Sequence, residues 1–273
     1  MTRPGLPKLI ATDLDGTLVR SDDTVSAYTH EVLDRVRAAG IPVVGATGRG
    51  PRLTELTRND IRAADYLVLA GGGRVVDQSD PAGPAVLRDE RISGEVLATL
   101  LAKLEARVGP LTVMVEALDT PDAPLWGDYD EAWRYQDRFE VRPRADCFHG
   151  EVLKAFARTA NHHVDALLAA AREVMPPELA SVTQAGLGFI EICPPGVDKA
   201  TGLAVVAEAL GVDRAEVLVF GDMPNDLPMF EWAGWSRVAV ANAHPEVLAA
   251  ADEVTSRNDD DGVAVYLDRL LSQ

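Results

Sequence analysis

A short apolar run, Leu9-Ile10-Ala11, delivers two carboxylates, Asp13 and Asp15, onto a turn that Gly16 allows to be tight. Runs of this kind are buried in the middle of parallel sheets. Open parallel sheets bind ligands just beyond the carboxyl ends of their strands. A pair of acids placed there is a cation site or a reactive site, and the bland alternative is a solvated acidic turn. The four fixed residues of Asp13-Leu-Asp-Gly-Thr17 would arise by chance about two times in a thousand in such a chain. The turn is therefore read as functional.

The chain that follows alternates helix and strand. Apolar residues recur at helical spacing from Thr24 to Ala39, and Gly40 stops them. Ile41 to Ala46 is a second apolar strand ending in Thr47-Gly-Arg49; Pro51 to Ala63 reads as helix, and Tyr66 to Ala70 is a third strand running into Gly71-Gly72-Gly73. This order indicates a doubly wound, parallel α/β sheet. Near Asp80-Pro-Ala-Gly-Pro84 the character changes. A hairpin-like piece at Ala85 to Arg91 follows, then a helix from Ser93 to Arg107 and strands at Leu111 to Ala117 and Val152 to Ala157. A helix at Val164 to Val174 precedes Gly188 to Cys193, which alternates as a half-exposed strand should. Residues 84–193 are read as an α+β domain inserted into a core made of 1–83 and 194–273. The core pattern resumes with a helix from Lys199 to Leu210 and a strand, Val217 to Phe220, that ends in Gly221-Asp-Met-Pro-Asn-Asp226.

A net charge of −17 argues against nucleic-acid and anionic-membrane binding, since neither would find a basic patch. An anionic substrate would need a local positive site against that field. Cys147 and Cys193 form no metal-binding pair. Met1 to Pro7 lacks an apolar signal region and no run approaches membrane-spanning length, so a cytoplasmic protein is expected.

Three strand ends thus carry candidate groups: Asp13 and Asp15; Thr47; and Asp222 with Asn225 and Asp226. Hard oxygen donors gathered in this way suit Mg²⁺. Asp13 can act as a nucleophile on phosphorus and Asp15 as general acid, then base. Thr47 and Lys199 are the hydroxyl and the ammonium needed to hold phosphoryl oxygens.

These residues resemble the four motifs of the haloacid dehalogenase superfamily, specifically Cof-like phosphatases of subfamily IIB: Asp13-Leu-Asp-Gly-Thr17, Thr47 within Ala-Thr-Gly-Arg49, Lys199, and Gly221 to Asp226. Pro194 to Lys199, Asn242 to Glu246 and Asn258 to Val263 are also typical of that group, so the resemblance covers nearly the full length and is weakest in the insert. It implies a Rossmann-like core with a type C2B cap. It also implies Mg²⁺ on the Asp13 carboxylate, the Asp15 backbone carbonyl and Asp222, with Asp226 supporting; phosphate would be held by Thr47, Lys199 and Asn225. Gly71-Gly72-Gly73 departs from the Asn-Gly-Ala common in the group, which weakens a substrate contact from an Asn side chain there. Gly72 stays a candidate contact.

Arg49 can reach substrate or make a surface ion pair. Trp126, Trp133 and Tyr135 face the site from the cap or simply pack it, and His149 and Arg144 are equally undecided. Asn242 and His244 read as loop-shaping, His162 and His163 as exposed. The expectation is a Mg²⁺-dependent phosphomonoester hydrolase, a monomer or homodimer, acting on a small phosphorylated metabolite such as a sugar phosphate, a flavin precursor or pyridoxal phosphate. The rivals are a phosphomutase of the same fold, a receiver domain (about half this length, without the second acid) and a non-catalytic phosphometabolite-binding regulator, which would be expected to have lost Asp13 or Asp15.

Overall fold

The apolar run that precedes the acidic turn is β1, Leu9–Thr12, and each of its residues is buried. The computed structural model describes residues 5–131, 133, 139–186 and 188–272. After β1 come α1 (Ala27–Ala38), β2 (Val43–Ala46), α2 (Thr54–Asp60) and β3 (Tyr66–Leu69), then β4 (Arg74–Asp77) and β5 (Ala85–Asp89). The Ser26 hydroxyl accepts the Thr29 amide, so α1 starts at Ala27 rather than Thr24. The helix predicted over Pro51–Ala63 is a 3-10 turn, Pro51–Leu53, followed by an α2 that stops at Asp60.

The insert contributes β6 (Ile92–Ser93), α3 (Gly94–Val108), β7 (Thr112–Glu116), β8 (Leu125–Gly127), β9 (Phe139–Val141) and α4 (Arg144–Cys147). It continues through β10 (Glu151–Val152), β11 (Lys154–Arg158), α5 (Val164–Val174), β12 (Ser181–Gln184) and β13 (Ile190–Cys193). The chain then adds α6 (Lys199–Leu210), β14 (Val217–Gly221), α7 (Leu227–Trp232), β15 (Ser236–Val240), α8 (Pro245–Ala250), β16 (Glu253–Thr255) and α9 (Gly262–Leu271).

The main sheet runs β16-β15-β14-β1-β2-β3-β4-β5. Its strands are parallel from β16 to β3, and β4 and β5 are antiparallel at the edge. β5 lies past the Pro/Gly turn in sequence yet belongs to this sheet. Because β1 sits between β14 and β2, the turns after Thr12, Ala46 and Gly221 are neighbours, although they are far apart in the chain. Leu9, Ile10, Val43, Val44, Leu67 and Leu218 are fully buried beneath those turns. Each such side chain contributes about 1.5–3 kcal/mol, so the strand ends rest on a fully buried core.

The insert forms the α+β cap, built on a six-stranded sheet ordered β12-β13-β11-β7-β8-β9. Val113, Val115, Ala155, Ala157, Ile190 and Ile192 share one face and pack with Leu97, Leu101, Leu104, Leu167 and Ala171 of α3 and α5. Alternation puts Met114, Glu116, Lys154, Phe156 and Glu191 on the other face. That face meets the core. The half-exposed strand expected at Gly188–Cys193 is therefore corrected: Ile190–Cys193 is buried on both sides, with its polar position turned into the seam between the sheets instead of solvent.

Candidate active site

Leu14 anchors the acidic turn. Its side chain is fully buried between the two carboxylates, and its carbonyl accepts the amides of Thr17, Leu18 and Val19 at 3.1, 3.0 and 2.8 Å. Asp13 and Asp15 are thereby thrown to the open side. Gly16 has φ +86°, and a methyl group there would lie 2.5 Å from Asp222 Oδ2. Only glycine both adopts that backbone and admits the neighbouring carboxylate.

Lys199 stands in the first turn of α6, after an Asp198 cap whose carboxylate accepts the Thr201 amide at 2.8 Å. A cation at a helix start is electrostatically disfavoured, but this one is 1% exposed and donates to Asp13 Oδ1 at 2.5 Å and Asp226 Oδ1 at 2.6 Å. Burial works against its charge, yet the Asp13 and Asp226 carboxylates outweigh that and hold the ammonium above its ordinary range. Asp13, Asp222 and Asp226 each offer an oxygen, and those oxygens lie within 4.8 Å of one another. Burial pushes the Asp13 carboxyl well up; Lys199 opposes this, and the Asp226 and Asp222 charges add to it. Asp222 is pushed up to about 7 by burial and then by Asp226, against the Thr17 hydroxyl, which donates to its Oδ1 at 2.7 Å. Three buried carboxylates against one ammonium leave net negative charge that a divalent cation would neutralise, and an all-oxygen donor set fits Mg²⁺.

The three acids are not equivalent. Asp226 spends Oδ1 on Lys199, and its Oδ2 accepts the amides of Asp222 and Met223 at 2.9 and 3.0 Å. It thus fixes the loop that carries Asp222.

Arg49 gives Asp15 a partner that Asp13 lacks. It is buried, and it grips Asp15 with Nε to Oδ2 at 2.8 Å and Nη2 to Oδ1 at 2.7 Å. Its Nη1 reaches Asp60 at 2.6 Å. The alternative of a surface ion pair is corrected: the pair is interior. Thr47 Oγ1 accepts the Arg49 amide at 3.1 Å, which folds the β2 turn toward the site. Asp13 and Asp15 thus sit two positions apart with different partners, an ammonium and a guanidinium.

Gly72 lies elsewhere. It does not line the cavity beside Asp13, and a methyl group on it would fall 1.9 Å from the Asp198 carbonyl oxygen. Its φ of +111° and lack of a side chain let the β3 turn pack against the start of α6, so the expected substrate contact is corrected to a packing role. Asn225 lines the cavity, and its Oδ1 has no hydrogen-bond partner among the described residues.

Residues outside the candidate catalytic set support the site. Asn242 was read as loop-shaping, and its loop is the site's own: Nδ2 donates to the Gly16 carbonyl at 2.8 Å and Oδ1 accepts the Asn258 amide at 2.9 Å. The His244 amide donates to the Asp222 carbonyl at 2.7 Å. Thr17 and Asp60 also escaped notice, although Thr17 lies inside the acidic motif.

The cavity beside Asp13 and Asp15 is walled by Gly48, Arg52 and Leu53 of the core and by Trp133, Phe156 and Glu191 of the cap. Its free volume is about 30 Å³, room for roughly two waters. Trp133 meets Phe156 and Phe189 edge-to-face at 4.7 and 5.3 Å, so it faces the site, whereas Trp126 lies under the Arg142 guanidinium at 3.9 Å within the cap. Tyr135 is outside the described residues. Arg144 pairs with Glu105 and Asp128 inside the cap, and His149, His162 and His163 are exposed. Cys193 lies on β13, but burial pushes its thiol up to about 12, so it is no nucleophile. No helix among the described residues is long and apolar enough to cross a membrane.

Residues 10–267 match the haloacid dehalogenase-like hydrolase family. The chain is 28% identical to the 5-amino-6-(5-phospho-D-ribitylamino)uracil phosphatase YwtE of Bacillus subtilis, over 97% of this chain and 98% of that protein. It is 30% identical to the similarly named YbjI of Escherichia coli, over 97% and 96%. A haloacid dehalogenase-like hydrolase from Bacteroides thetaiotaomicron superposes with a TM-score of 0.74 at 27% identity, covering 97% of this chain and 99% of that one.

Proposed function

The chain belongs to the haloacid dehalogenase-like hydrolases and is a phosphatase of that superfamily, and from that premise we propose a Mg²⁺-dependent phosphomonoester hydrolase that works through a phosphorylated Asp13. The observation that carries the reading is the division of labour between two acids. Asp13 is held by Lys199 as the nucleophile, while Asp15 is aimed by Arg49 as the proton carrier.

An Asp13 oxygen attacks phosphorus as the bond to the leaving oxygen breaks, and Asp15 gives that oxygen its proton. Asp15 then takes a proton from water as the water attacks the acyl phosphate, releasing inorganic phosphate and restoring Asp13. Lys199, Thr47 and Asn225 hold the phosphoryl oxygens. The Asp13 carboxylate, the Asp15 backbone carbonyl and Asp222 would hold Mg²⁺, which supplies the positive charge that lets a dianionic phosphate approach a carboxylate. Asp226, with both oxygens engaged, supports that site through Lys199 and the Asp222 loop.

The insert from β6 to β13 acts as the lid; the core keeps β5, so the boundary expected at residue 84 moves past Asp89. The space beside Asp13 is too small for a phosphate ester, so the cap lifts to admit substrate and closes to exclude water. The substrate is a small phosphorylated metabolite. The names of two relatives put 5-amino-6-(5-phospho-D-ribitylamino)uracil on the panel to be tried, beside sugar phosphates and pyridoxal phosphate.

The test is phosphate release from that panel, with Mg²⁺ or EDTA, by the wild type and Asp13→Asn. Mg²⁺-dependent release that the substitution lowers by at least about a thousandfold is expected, because a covalent step is lost. Release that survives Asp13→Asn overturns the mechanism.

A further inference from the structure

The cap buries a carboxylate over the turn that follows β2. On the core-facing side of its sheet, Lys154 is fully buried and donates to the Gly48 carbonyl and to Glu191 Oε1, the latter at 3.1 Å. Glu191 is 3% exposed, and its other oxygen, Oε2, has no hydrogen-bond partner among the described residues. The residue lines the same cavity as Asp13 and Asp15, with Phe156 and Trp133 beside it. A buried carboxylate oxygen without a donor is costly, and a ligand that brings the donor recovers that cost.

The two guanidiniums that line the cavity already face acids. Arg49 is on Asp15 and Asp60, and Arg52 Nε stands 3.8 Å from Glu116 Oε1. A second anion on the substrate would meet the Glu191 charge, whereas a hydroxyl or amine would meet an acceptor. Phe156 and Trp133 offer a flat apolar wall to the rest of the group.

We propose that Glu191 is a specificity-determining residue whose Oε2 accepts a hydrogen bond from a hydroxyl or amine of the leaving group. It thereby selects phosphomonoesters of polyols and amino-substituted alcohols over those that carry a second negative charge. Lys154 holds the Glu191 carboxylate in place and ties it to the phosphate-binding turn. The proposal rests on the phosphatase reading of the preceding section and names the substrate class of that site.

The experiment compares kcat/KM for three probes in the presence of Mg²⁺: D-ribitol 5-phosphate, 6-phosphogluconate and p-nitrophenyl phosphate, the last with no donor on its leaving group. The variants are Glu191→Leu and Lys154→Met/Glu191→Leu, the double change sparing the fold a stranded buried ammonium. The ratio of ribitol phosphate to p-nitrophenyl phosphate does not depend on how much enzyme is folded. It is expected to fall between about 10- and 100-fold in both variants, the worth of one hydrogen bond to a charged group. The ratio of 6-phosphogluconate to ribitol phosphate is expected to rise. A ribitol ratio within about threefold of wild type, or a wild type that prefers 6-phosphogluconate, overturns the proposal. Absence of Mg²⁺-dependent hydrolysis of p-nitrophenyl phosphate and the whole panel would instead strike the phosphatase reading beneath it.

Discussion

Arg49→Lys separates a residue that aims the acid from one that binds substrate. The arginine places two hydrogen bonds on Asp15, at 2.7 and 2.8 Å, and a third on Asp60 at 2.6 Å. Lysine keeps the charge but loses the planar fork, so at most one of the Asp15 contacts survives. Each hydrogen bond to a charged group is worth about 1.5–3 kcal/mol, and roughly 2 kcal/mol lost from the orientation of the acid corresponds to about a 30-fold slower protonation step. Only a leaving group that needs the proton feels this. The kcat/KM for an alkyl phosphate, which covers binding through transfer to Asp13, should fall about 30-fold. For p-nitrophenyl phosphate, whose leaving oxygen departs as a stable anion, kcat/KM should fall less than about threefold. The assay is steady-state release of phosphate and nitrophenol at matched Mg²⁺, and any loss of folded enzyme scales both numbers alike. Equal losses for the two substrates would refute the aiming role and return Arg49 to substrate binding.

Two further consequences concern the acids around Asp222. With no cation bound, burial raises the Asp13 and Asp222 carboxyls, the latter to about 7. The unfolded chain loses those protons near pH 4 while the native protein keeps them, so native stability falls as pH rises from about 4 to 7. Mg²⁺ relieves that loss: at one fixed concentration, 100 times its Kd at pH 8, it should raise Tm by roughly 5–10 °C at pH 8 and by clearly less at pH 5.5. Thermal melts at the two pH values check this, and an equal shift would show that protons and the cation do not compete for these carboxylates. Gly16→Ala introduces both a strained φ of +86° and a methyl group 2.5 Å from Asp222 Oδ2. It should raise the Mg²⁺ concentration for half-maximal activity at least about tenfold, measured by metal titration of phosphate release; an unchanged titration would mean that Asp222 is not a ligand.

What sequence could reveal here follows from which interactions are local. The strand ends were legible because each apolar run stops at a polar turn: Leu9–Thr12 before Asp13, Val43–Ala46 before Thr47, Val217–Gly221 before Asp222. Their convergence followed from parallel-sheet geometry alone, with β1 between β14 and β2. The partners of those groups were illegible for the opposite reason. Whether Arg49 grips Asp15 or solvent is decided by Asp60, which no local pattern ties to it. Gly72 looked like part of a ligand loop until the Asp198 backbone, more than a hundred positions away, filled the space beside it. The cap shows the limit most clearly. Period-two alternation divides Ile190, Glu191 and Ile192 correctly between two faces, but alternation cannot say whether the polar face meets water or another sheet. The strand that holds Glu191 reads as half-exposed, and nothing local in the sequence marks Glu116 or Lys154 as buried. All three are instead 0–3% exposed in the seam over the turn that follows β2. Isolated buried charges are tolerated only when partners compensate them, and here the partners come from both sides of the seam: Gly48 and Arg52 from the core, Lys154 and the two glutamates from the cap. The contacts between cap and core are thus made at Gly48 and Arg52, in the turn that also carries Thr47 and Arg49, so under the proposed function substrate recognition and cap closure act on the same few residues.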